Sequence, residues 1–151
     1  MMQIRKDDAT ASHVAPLLAH HLAELRSHMA EFAFALDATG LSAPEVTFWT
    51  AWRAESLVGF VALKQLDPHH GEVKSMRAAP EARGTGVGRT LLAHVIATAC
   101  ARGYKRLSLE TGTAALHQPA VTLYRSAGFT ACAAFADYQP SPHNQFLTLI
   151  L

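Results

Sequence analysis

The chain has 151 residues, of which 50% are hydrophobic and 17% charged, and its formal net charge at pH 7 is +1. This composition excludes an intrinsically disordered chain, and the large basic excess of a protein held to nucleic acid by general electrostatics is missing. Apolar runs are too short to span a bilayer, and the first residues lack the apolar stretch of a signal peptide. We therefore expect a single globular domain over residues 1–151, with no nucleic-acid or membrane partner.

The first half of the chain predicts a strand, a helix and three more strands. Met2–Lys6 is a short strand candidate. Apolar residues recur at helical spacing over residues 14–25, and residues 31–36 either extend this helix or form a second one. Three segments rich in β-forming residues follow, at residues 46–54, 57–66 and 72–79. Strands joined by such short turns pair as antiparallel hairpins.

The second half predicts two helices that alternate with strands. The first helix has an apolar face at helical spacing, formed by Leu91, Leu92, Val95, Ile96, Ala99 and Cys100. Residues 104–110 predict a strand, and a second helix begins near Pro119 and stops at Gly128. Two closing strands are expected at residues 129–135 and 146–151. The order β-α-β-β-β-α-β-α-β-β is typical of an α+β or mixed α/β domain.

Cysteine and histidine patterns predict no metal site. Cys100 and Cys132 are too few for a disulfide framework and lack metal-ligand spacing. We expect both to be small buried residues of a reduced, cytoplasmic protein. The histidines of the first helix, His20, His21 and His28, are interpreted as surface residues. The oligomeric state is left open, a homodimer included.

A glycine-rich stretch, Arg83-Gly84-Thr85-Gly86-Val87-Gly88-Arg89, lies between a predicted strand and a predicted helix. Its glycines allow positive φ, and the free N–H groups at the helix start form a site suited to a phosphate or pyrophosphate. Arg83 and Arg89 add charge-assisted bonds. The spacing fails both the dinucleotide fingerprint, which requires glycine at position 89, and the Walker A loop. A glycine-rich turn without a ligand is the alternative.

Two motifs carry a family resemblance. Arg83-x-x-Gly86-x-Gly88 resembles the acetyl-CoA pyrophosphate loop of the GNAT N-acetyltransferase superfamily. The segment from Leu123 to Phe129, Leu-Tyr-Arg-Ser-Ala-Gly-Phe, is similar to that family's Leu-Tyr-x-x-x-Gly-Phe segment. Three more segments resemble a bacterial subgroup of unassigned substrate: residues 72–76 (Glu-Val-Lys-Ser-Met), 109–112 (Leu-Glu-Thr-Gly) and 135–138 (Phe-Ala-Asp-Tyr). The resemblance covers nearly the whole chain and implies a mostly antiparallel central sheet of about seven strands flanked by helices.

The resemblance also implies acetyl-CoA as co-substrate. Its pyrophosphate is expected on the loop, at Arg83, Gly84, Thr85, Gly86, Val87, Gly88 and Arg89. In the family two neighbouring strands splay apart, and the pantetheine arm pairs with an edge that corresponds to the backbone of Met76 and Ala78. The family often has Asn seven positions before its tyrosine. His117 stands there in this sequence, and Gln118 is the possible substitute.

Acetyl transfer to an amine needs a base, because an ammonium is no nucleophile. Glu72 is the first candidate, since the base of the histone-acetylating branch stands at the same spacing of eleven positions before the loop. The alternative role of Glu72 is an exposed strand carboxylate paired with Lys74. Glu110 is the rival base, on the next, parallel-type strand. His70 and His117 are weaker candidates.

Tyr124 matches the family's usual general acid, which protonates the departing sulfur. Its alternative role is to fill space beside Phe129. The candidates for lining an acceptor pocket, or for the core, are Phe32, Phe34, Phe48, Trp49 and Trp52. The function expected is direct transfer, within a ternary complex, to an amine of a small molecule or peptide. The alternatives are a protein lysine or N-terminus as acceptor, or a non-catalytic acyl-CoA-binding or regulatory module.

Overall fold

The computed structural model describes residues 1–29 and 36–151, and their elements follow the expected order. The strands are β1 (Met2–Lys6), β2 (Val46–Arg53), β3 (Ser56–Asp67), β4 (His70–Ala78), β5 (Arg106–Gly112), β6 (Thr130–Ala131) and β7 (Asn144–Ile150). The helices are α1 (Ala15–Met29), α2 (Ala38–Leu41), α3 (Val87–Ala101) and α4 (Gln118–Ser126). Short 3₁₀ turns span Pro80–Ala82 and Ala115–His117. The predictions for Phe32, Phe34 and most of residues 31–36 lie outside the described residues, as does the side chain of His28.

The described strands form one sheet of seven, in the order β1-β2-β3-β4-β5-β7-β6. Neighbouring strands run antiparallel except β4 and β5, which are parallel and are connected through α3. A parallel pair needs such a crossover, whereas the short turns between β2, β3 and β4 permit hairpins alone. The expected mostly antiparallel, seven-stranded sheet is confirmed.

The pairing between β4 and β5 is short, and this creates a gap in the sheet. The two strands pair only from His70 with Arg106 to Glu72 with Ser108. Beyond that point β4 remains paired with β3, whereas β5 remains paired with β7. The strands therefore diverge, as the family resemblance implies, and polar backbone groups on their facing edges are left for a ligand.

A β-bulge interrupts β4 at the start of this gap. Ala62 pairs with Lys74 and Phe60 with Arg77, so one residue of β3 faces two of β4. Ser75, within the bulge, has φ of 53°, in the left-handed region. Because alternate residues of a strand point to opposite faces, the extra residue shifts the alternation. Arg77 consequently shares the face of Phe60 and Lys74, instead of facing α3.

Each face of the sheet carries its own apolar core. The larger core lies between the sheet and helices α3 and α4, and it includes Val61, Leu63, Leu91, Val95, Leu107, Leu109 and Leu147. The smaller one lies under α1 and α2 and includes Val14, Leu18, Leu41, Phe48, Phe60 and Ala62. Phe48 and Trp49 are both core residues, at 3% and 6% exposure.

Two expectations about individual elements are wrong. The strand expected over residues 129–135 is only Thr130–Ala131, because the chain then folds back so that Phe135 and Tyr138 pack on Phe146, with ring centroids 5.9 and 5.8 Å away. Cys100 is exposed and Cys132 half-buried. Position 100 lies at the margin of the apolar stripe of α3, whose centre holds the buried residues. Within the described ranges, no helix is both long and apolar enough to cross a membrane.

Candidate active site

The gap between β4 and β5 opens into a cleft of about 860 Å³. Its walls come from α1, the bulged half of β4, the glycine-rich loop, the end of β5 and the first turns of α4. The cleft therefore runs from the start of α3 to the point where the two strands separate. Nine of the predicted cofactor-binding residues line it: Met76, Ala78, Arg83, Gly84, Gly86, Val87, Gly88, Arg89 and His117.

The loop end of the cleft presents backbone donors. Gly84 and Gly86 have φ of 74° and 92°, and a Cβ at either position would meet no other atom within 4 Å. Gly86 caps α3, and its carbonyl accepts the first helical bond, from the N–H of Thr90, at 3.0 Å. The N–H groups of the first helical residues have no intrahelical acceptor, and the positive end of the helix dipole lies there. This geometry suits an anion.

Two of the predicted cofactor-binding residues do not line the cleft. Thr85 is held from behind by β2: Arg53 donates from Nη1 to its Oγ1 at 2.6 Å and from Nη2 to its carbonyl at 2.7 Å. Gln118 is exposed and donates to Thr122 of its own helix at 3.5 Å. Arg53 is therefore a support of the loop that sequence reasoning missed, because β2 and the loop are distant in the chain.

A chain of ion pairs ties α1 to the loop. Glu24 accepts from Arg77 at 3.0 Å and lies 3.6 Å from Arg83. The guanidinium of Arg77 also donates to Nδ1 of His21 at 2.9 Å. The expectation that His21 is a surface residue is wrong: it is 5% exposed, and the bulge brings Arg77 to it. Burial, and then the charge of Arg77, lowers the pKa of His21 to about 3, so it is neutral at pH 7.

Tyr124 lines the cleft from α4 and is 7% exposed. Burial raises the pKa of its hydroxyl, so this group keeps its proton at any working pH. Its ring also packs against Phe129, with centroids 5.8 Å apart. The catalytic and the space-filling roles considered for this residue are thus compatible.

Glu72, the first candidate for the base, is buried and bonded, and the exposed carboxylate considered as its alternative role is not found. It is 2% exposed, and the hydroxyl of Tyr138 donates to its Oε2 at 2.5 Å. Lys74, its expected partner, lies 3.5 Å from the same oxygen. Glu72 is not among the residues that line the cleft.

Glu110 does line the cleft, at the point where β5 leaves β4. Burial raises its carboxyl pKa to about 7, while the charge of Lys74 and a hydrogen bond from Asn144 oppose this rise and the charge of Glu72 adds to it. Asn144 is fixed in turn, since its Oδ1 accepts from the N–H and hydroxyl of Ser141, both at 2.9 Å. A carboxyl that titrates near neutrality in a cleft is suited to proton transfer.

The remaining candidate bases and acceptor-pocket residues lie in different parts of the molecule. His117 is 9% exposed and lines the cleft near α4, whereas His70 bonds Ser108 at 2.7 Å outside it. Trp52 lies near β1, where Arg5 stacks over its ring at 5.0 Å. Among residues 1–29 and 36–151, no group of three or more His, Cys, Asp or Glu side chains is arranged to hold a metal ion.

Comparison with known proteins agrees with this geometry. Residues 7–129 match the acetyltransferase (GNAT) family. The N-acetyltransferase YsnE of Bacillus subtilis (strain 168) is 45% identical over 148 residues, which are 97% of this chain and 98% of that protein. A structure described as an acyl-CoA N-acyltransferase, from Klebsiella pneumoniae, has a TM-score of 0.81 and 28% identity over 100% of this chain and 98% of that one.

A more distant structure shares the fold alone. It is a GNAT family acetyltransferase from Elizabethkingia anophelis with acetyl-CoA bound, at a TM-score of 0.70 and 18% identity over 99% of this chain and 98% of that one. The family match covers most of the chain, and the relative from B. subtilis is similar along almost its whole length. The chain is therefore an acetyltransferase of the GNAT family.

Proposed function

We propose that this enzyme works in the cytoplasm and transfers the acetyl group of acetyl-CoA directly to an amine of a small molecule or peptide. One observation carries the proposal: a single cleft joins the anion-binding start of α3 to the carboxyl group of Glu110. The first feature suits the cofactor's pyrophosphate, and the second suits removal of a proton from an acceptor.

The cofactor is held mainly by backbone groups. The N–H groups at the start of α3 bind the pyrophosphate, and Arg83 and Arg89 on the cleft wall add charge. The pantetheine arm enters the gap between β4 and β5 and pairs with the backbone of Met76 and Ala78, in the manner of an added strand. His117 contacts the same arm from the side of α4. Support comes from the fold neighbour that carries acetyl-CoA.

Glu110 is the base in this proposal, in preference to Glu72. Glu110 lines the cleft with a carboxyl pKa of about 7, so a large fraction is ionised at neutral pH and can accept a proton. Glu72 is 2% exposed, and Tyr138 already donates to its carboxylate. An acceptor amine in the cleft therefore has access to Glu110 but not to Glu72.

The proposed transfer has two stages, attack by the amine and departure of the CoA sulfur. Glu110 takes a proton from the acceptor ammonium, and the freed nitrogen lone pair attacks the thioester carbonyl carbon. As the tetrahedral intermediate collapses, the C–S bond breaks and the hydroxyl of Tyr124 gives its proton to the sulfur. The attacking nitrogen releases its second proton, which restores the hydroxyl of Tyr124 by way of solvent in the open cleft. The products are an acetylated amine and CoA, and the proton held by Glu110 returns to solvent through the open cleft.

The test is CoA release against a panel of amines, amino acids and peptides, with Glu110→Gln and Glu72→Gln as a matched pair. We expect Glu110→Gln to lower kcat about a hundredfold at pH 7, as for a lost general base, and less at high pH, where the amine loses its proton unaided. Glu72→Gln should keep most of its activity. No acetylated product from any amine with wild type would contradict the function, whereas the reverse ranking of the two variants would reassign the base to Glu72.

A further inference from the structure

The three segments that resemble the bacterial subgroup are far apart in sequence but meet in the fold. Glu72 and Lys74 belong to the first, Glu110 to the second and Tyr138 to the third. Tyr138 is 66 residues from Glu72 and 64 from Lys74, yet it bonds both. The two cleft motifs, the loop and the Tyr124 segment, do not account for this cluster.

The contacts within the cluster centre on the hydroxyl of Tyr138. This hydroxyl donates to Oε2 of Glu72 at 2.5 Å and accepts from Nζ of Lys74 at 2.6 Å. The Lys74 ammonium also lies 3.5 Å from Glu72 and 5.3 Å from the centroid of the Tyr138 ring. Lys74 is only 9% exposed. Its side chain is therefore enclosed, with Tyr138 and Glu72 among the partners of its ammonium.

The strand register brings Lys74 towards Glu110. Glu72 and Ser108 are the last pair that joins β4 to β5. Two residues further along each strand, on the same face, come Lys74 and Glu110, and both line the cleft where the strands part. The charge of Lys74 acts on Glu110 against the burial that raises its pKa.

We propose that Lys74 is the positioning residue for the base: Tyr138 and Glu72 hold its ammonium on the same face of the sheet as Glu110, where its charge keeps the Glu110 carboxyl ionised for the acceptor. This inference rests on the proposed role of Glu110. It gives the Glu-x-Lys, Glu and Tyr of the three segments a common task, which is to counter the burial of a carboxyl group that must lose its proton at neutral pH.

A proton relay through the same groups is disfavoured by burial. A proton passed from Glu110 through Lys74 and Tyr138 would arrive at Glu72, which is 2% exposed and does not line the cleft. It would have no path to solvent there. A fixed network that sets the charge beside Glu110 is the role these positions favour.

The groups around Glu110 come from several elements. Glu72 and Lys74 face it from β4, Tyr138 lies beside these two, and Asn144 of β7 donates a hydrogen bond to it. Other ionisable groups of the cleft wall lie on α1, the far half of β4, the glycine-rich loop, the start of α3, the turn before α4 and α4 itself: His21, Glu24, Arg77, Arg83, Arg89, His117 and Tyr124. Substitutions at Lys74 and Glu72 change only the two charges of β4 that lie nearest to Glu110.

The experiment is the pH dependence of kcat/KM for acetyl transfer in Lys74→Met and Glu72→Gln, with melting temperatures recorded for each. Loss of the cation should move the midpoint of the acid limb up by about 1 pH unit, as expected when a neighbouring opposite charge is removed. Glu72→Gln keeps an acceptor for Tyr138 but removes an anion, so the midpoint should move down by a smaller amount, about 0.5 pH unit. Because the midpoints of the two variants are expected to move in opposite directions, either variant tests the inference if the other fails to fold.

The matched control is Lys105→Met, which removes an exposed lysine from the turn before β5 and should leave the midpoint unchanged. A merely structural role predicts lower kcat or melting temperature with an unmoved midpoint, and that result in the folded variants would overturn the inference. Glu110→Gln separates the two proposals. If the acid limb persists in that variant, Glu110 is not the base and both its assignment and the inference fail, while acetyl transfer itself is still measured.

Discussion

The two ends of the cleft are built on opposite principles. At the loop end the candidate groups are backbone N–H groups at the start of a helix, and a Cβ at Gly84 or Gly86 would meet no other atom within 4 Å. At the far end they are side chains, packed so closely that Lys74 and Glu72 are 9% and 2% exposed. One end offers a fixed dipole to an anion, and the other sets the ionisation of a single carboxyl.

This difference follows from what each end must do. A pyrophosphate keeps its charge at every working pH, so backbone donors that never ionise are sufficient for binding. A base must change protonation during each turnover, so its surroundings must hold its pKa near the working pH. Substitutions at the loop end should therefore change cofactor binding, and substitutions in the buried cluster should change pH dependence.

The largest effect is expected from a negative charge introduced at the loop end of the cleft. Gly86→Asp places a carboxylate at the proposed pyrophosphate site, and its Cβ would meet no protein atom within 4 Å. Like charges brought together cost several kcal/mol, so the Kd for CoA should rise by about a hundredfold or more, measured by titration calorimetry. Gly103→Asp is the matched control, because Gly103 also has positive φ and open space but follows the other end of α3. Equal CoA affinity in both folded variants would refute the assignment of the loop.

The proposed role of Tyr124 as the general acid is tested by Tyr124→Phe. The ring contact with Phe129 is kept and only the proton donor is lost, so kcat should fall about tenfold to a hundredfold with nearly unchanged CoA binding. An acyl donor whose thiol has a lower pKa should restore part of the rate. Tyr104→Phe is the control, since Tyr104 is buried but donates to Gln65, outside the cleft. A folded Tyr124→Phe enzyme with normal turnover would remove Tyr124 from the mechanism.

The ionisation of Glu110, at the far end of the cleft, is tested by the pH profile of the unmodified enzyme. A carboxyl pKa raised to about 7 means that the reactive carboxylate is lost as the pH falls through 7. Between pH 8 and pH 6, kcat/KM should therefore fall about tenfold. The limb should keep its midpoint with an acceptor amine of lower pKa, because it belongs to the enzyme. A midpoint that follows the amine would show that no carboxyl of the enzyme is titrating.

The smallest effect is expected behind the loop. Arg53→Met removes two hydrogen bonds to Thr85 without touching a cleft residue. Such exposed bonds contribute about 1 kcal/mol, so KM for acetyl-CoA should rise about threefold to fivefold with unchanged kcat. Arg102→Met, which removes an exposed bond to Thr47, is the control and should change neither value. A fall in kcat with unchanged KM would instead connect Arg53 to the chemistry.

The loop end could be read from the sequence because its determinants are local. Glycines at positions 84, 86 and 88, followed by a helical apolar stripe, predict a helix start suited to an anion. The strand and helix order has the same local origin, and so does the parallel pair, which the crossover through α3 requires. The untested roles of Tyr124 and His117 came from the family resemblance.

The buried cluster could not be read in this way, because its contacts are remote in sequence. Alternation along β4 places Glu72 and Lys74 on one face, but nothing local shows that residues 132–138 leave the sheet and cover that face. The burial of Glu72 depends on that turn of chain. The surface position predicted for His21 is wrong for a similar reason, since its partner Arg77 reaches it only because of the bulge in β4.

That bulge gives β4 an unequal tolerance to mutation. Deletion of Ser75 would remove the bulge alone, because Lys74 would still pair with Ala62 and Arg77 with Phe60. Deletion of Val73, where the pairing is regular, would instead move Glu72 into its place opposite Leu63, in the apolar core under α3 and away from Tyr138. An unpaired buried charge costs several kcal/mol. We expect β4 to tolerate a loss of one residue at the bulge but not before it.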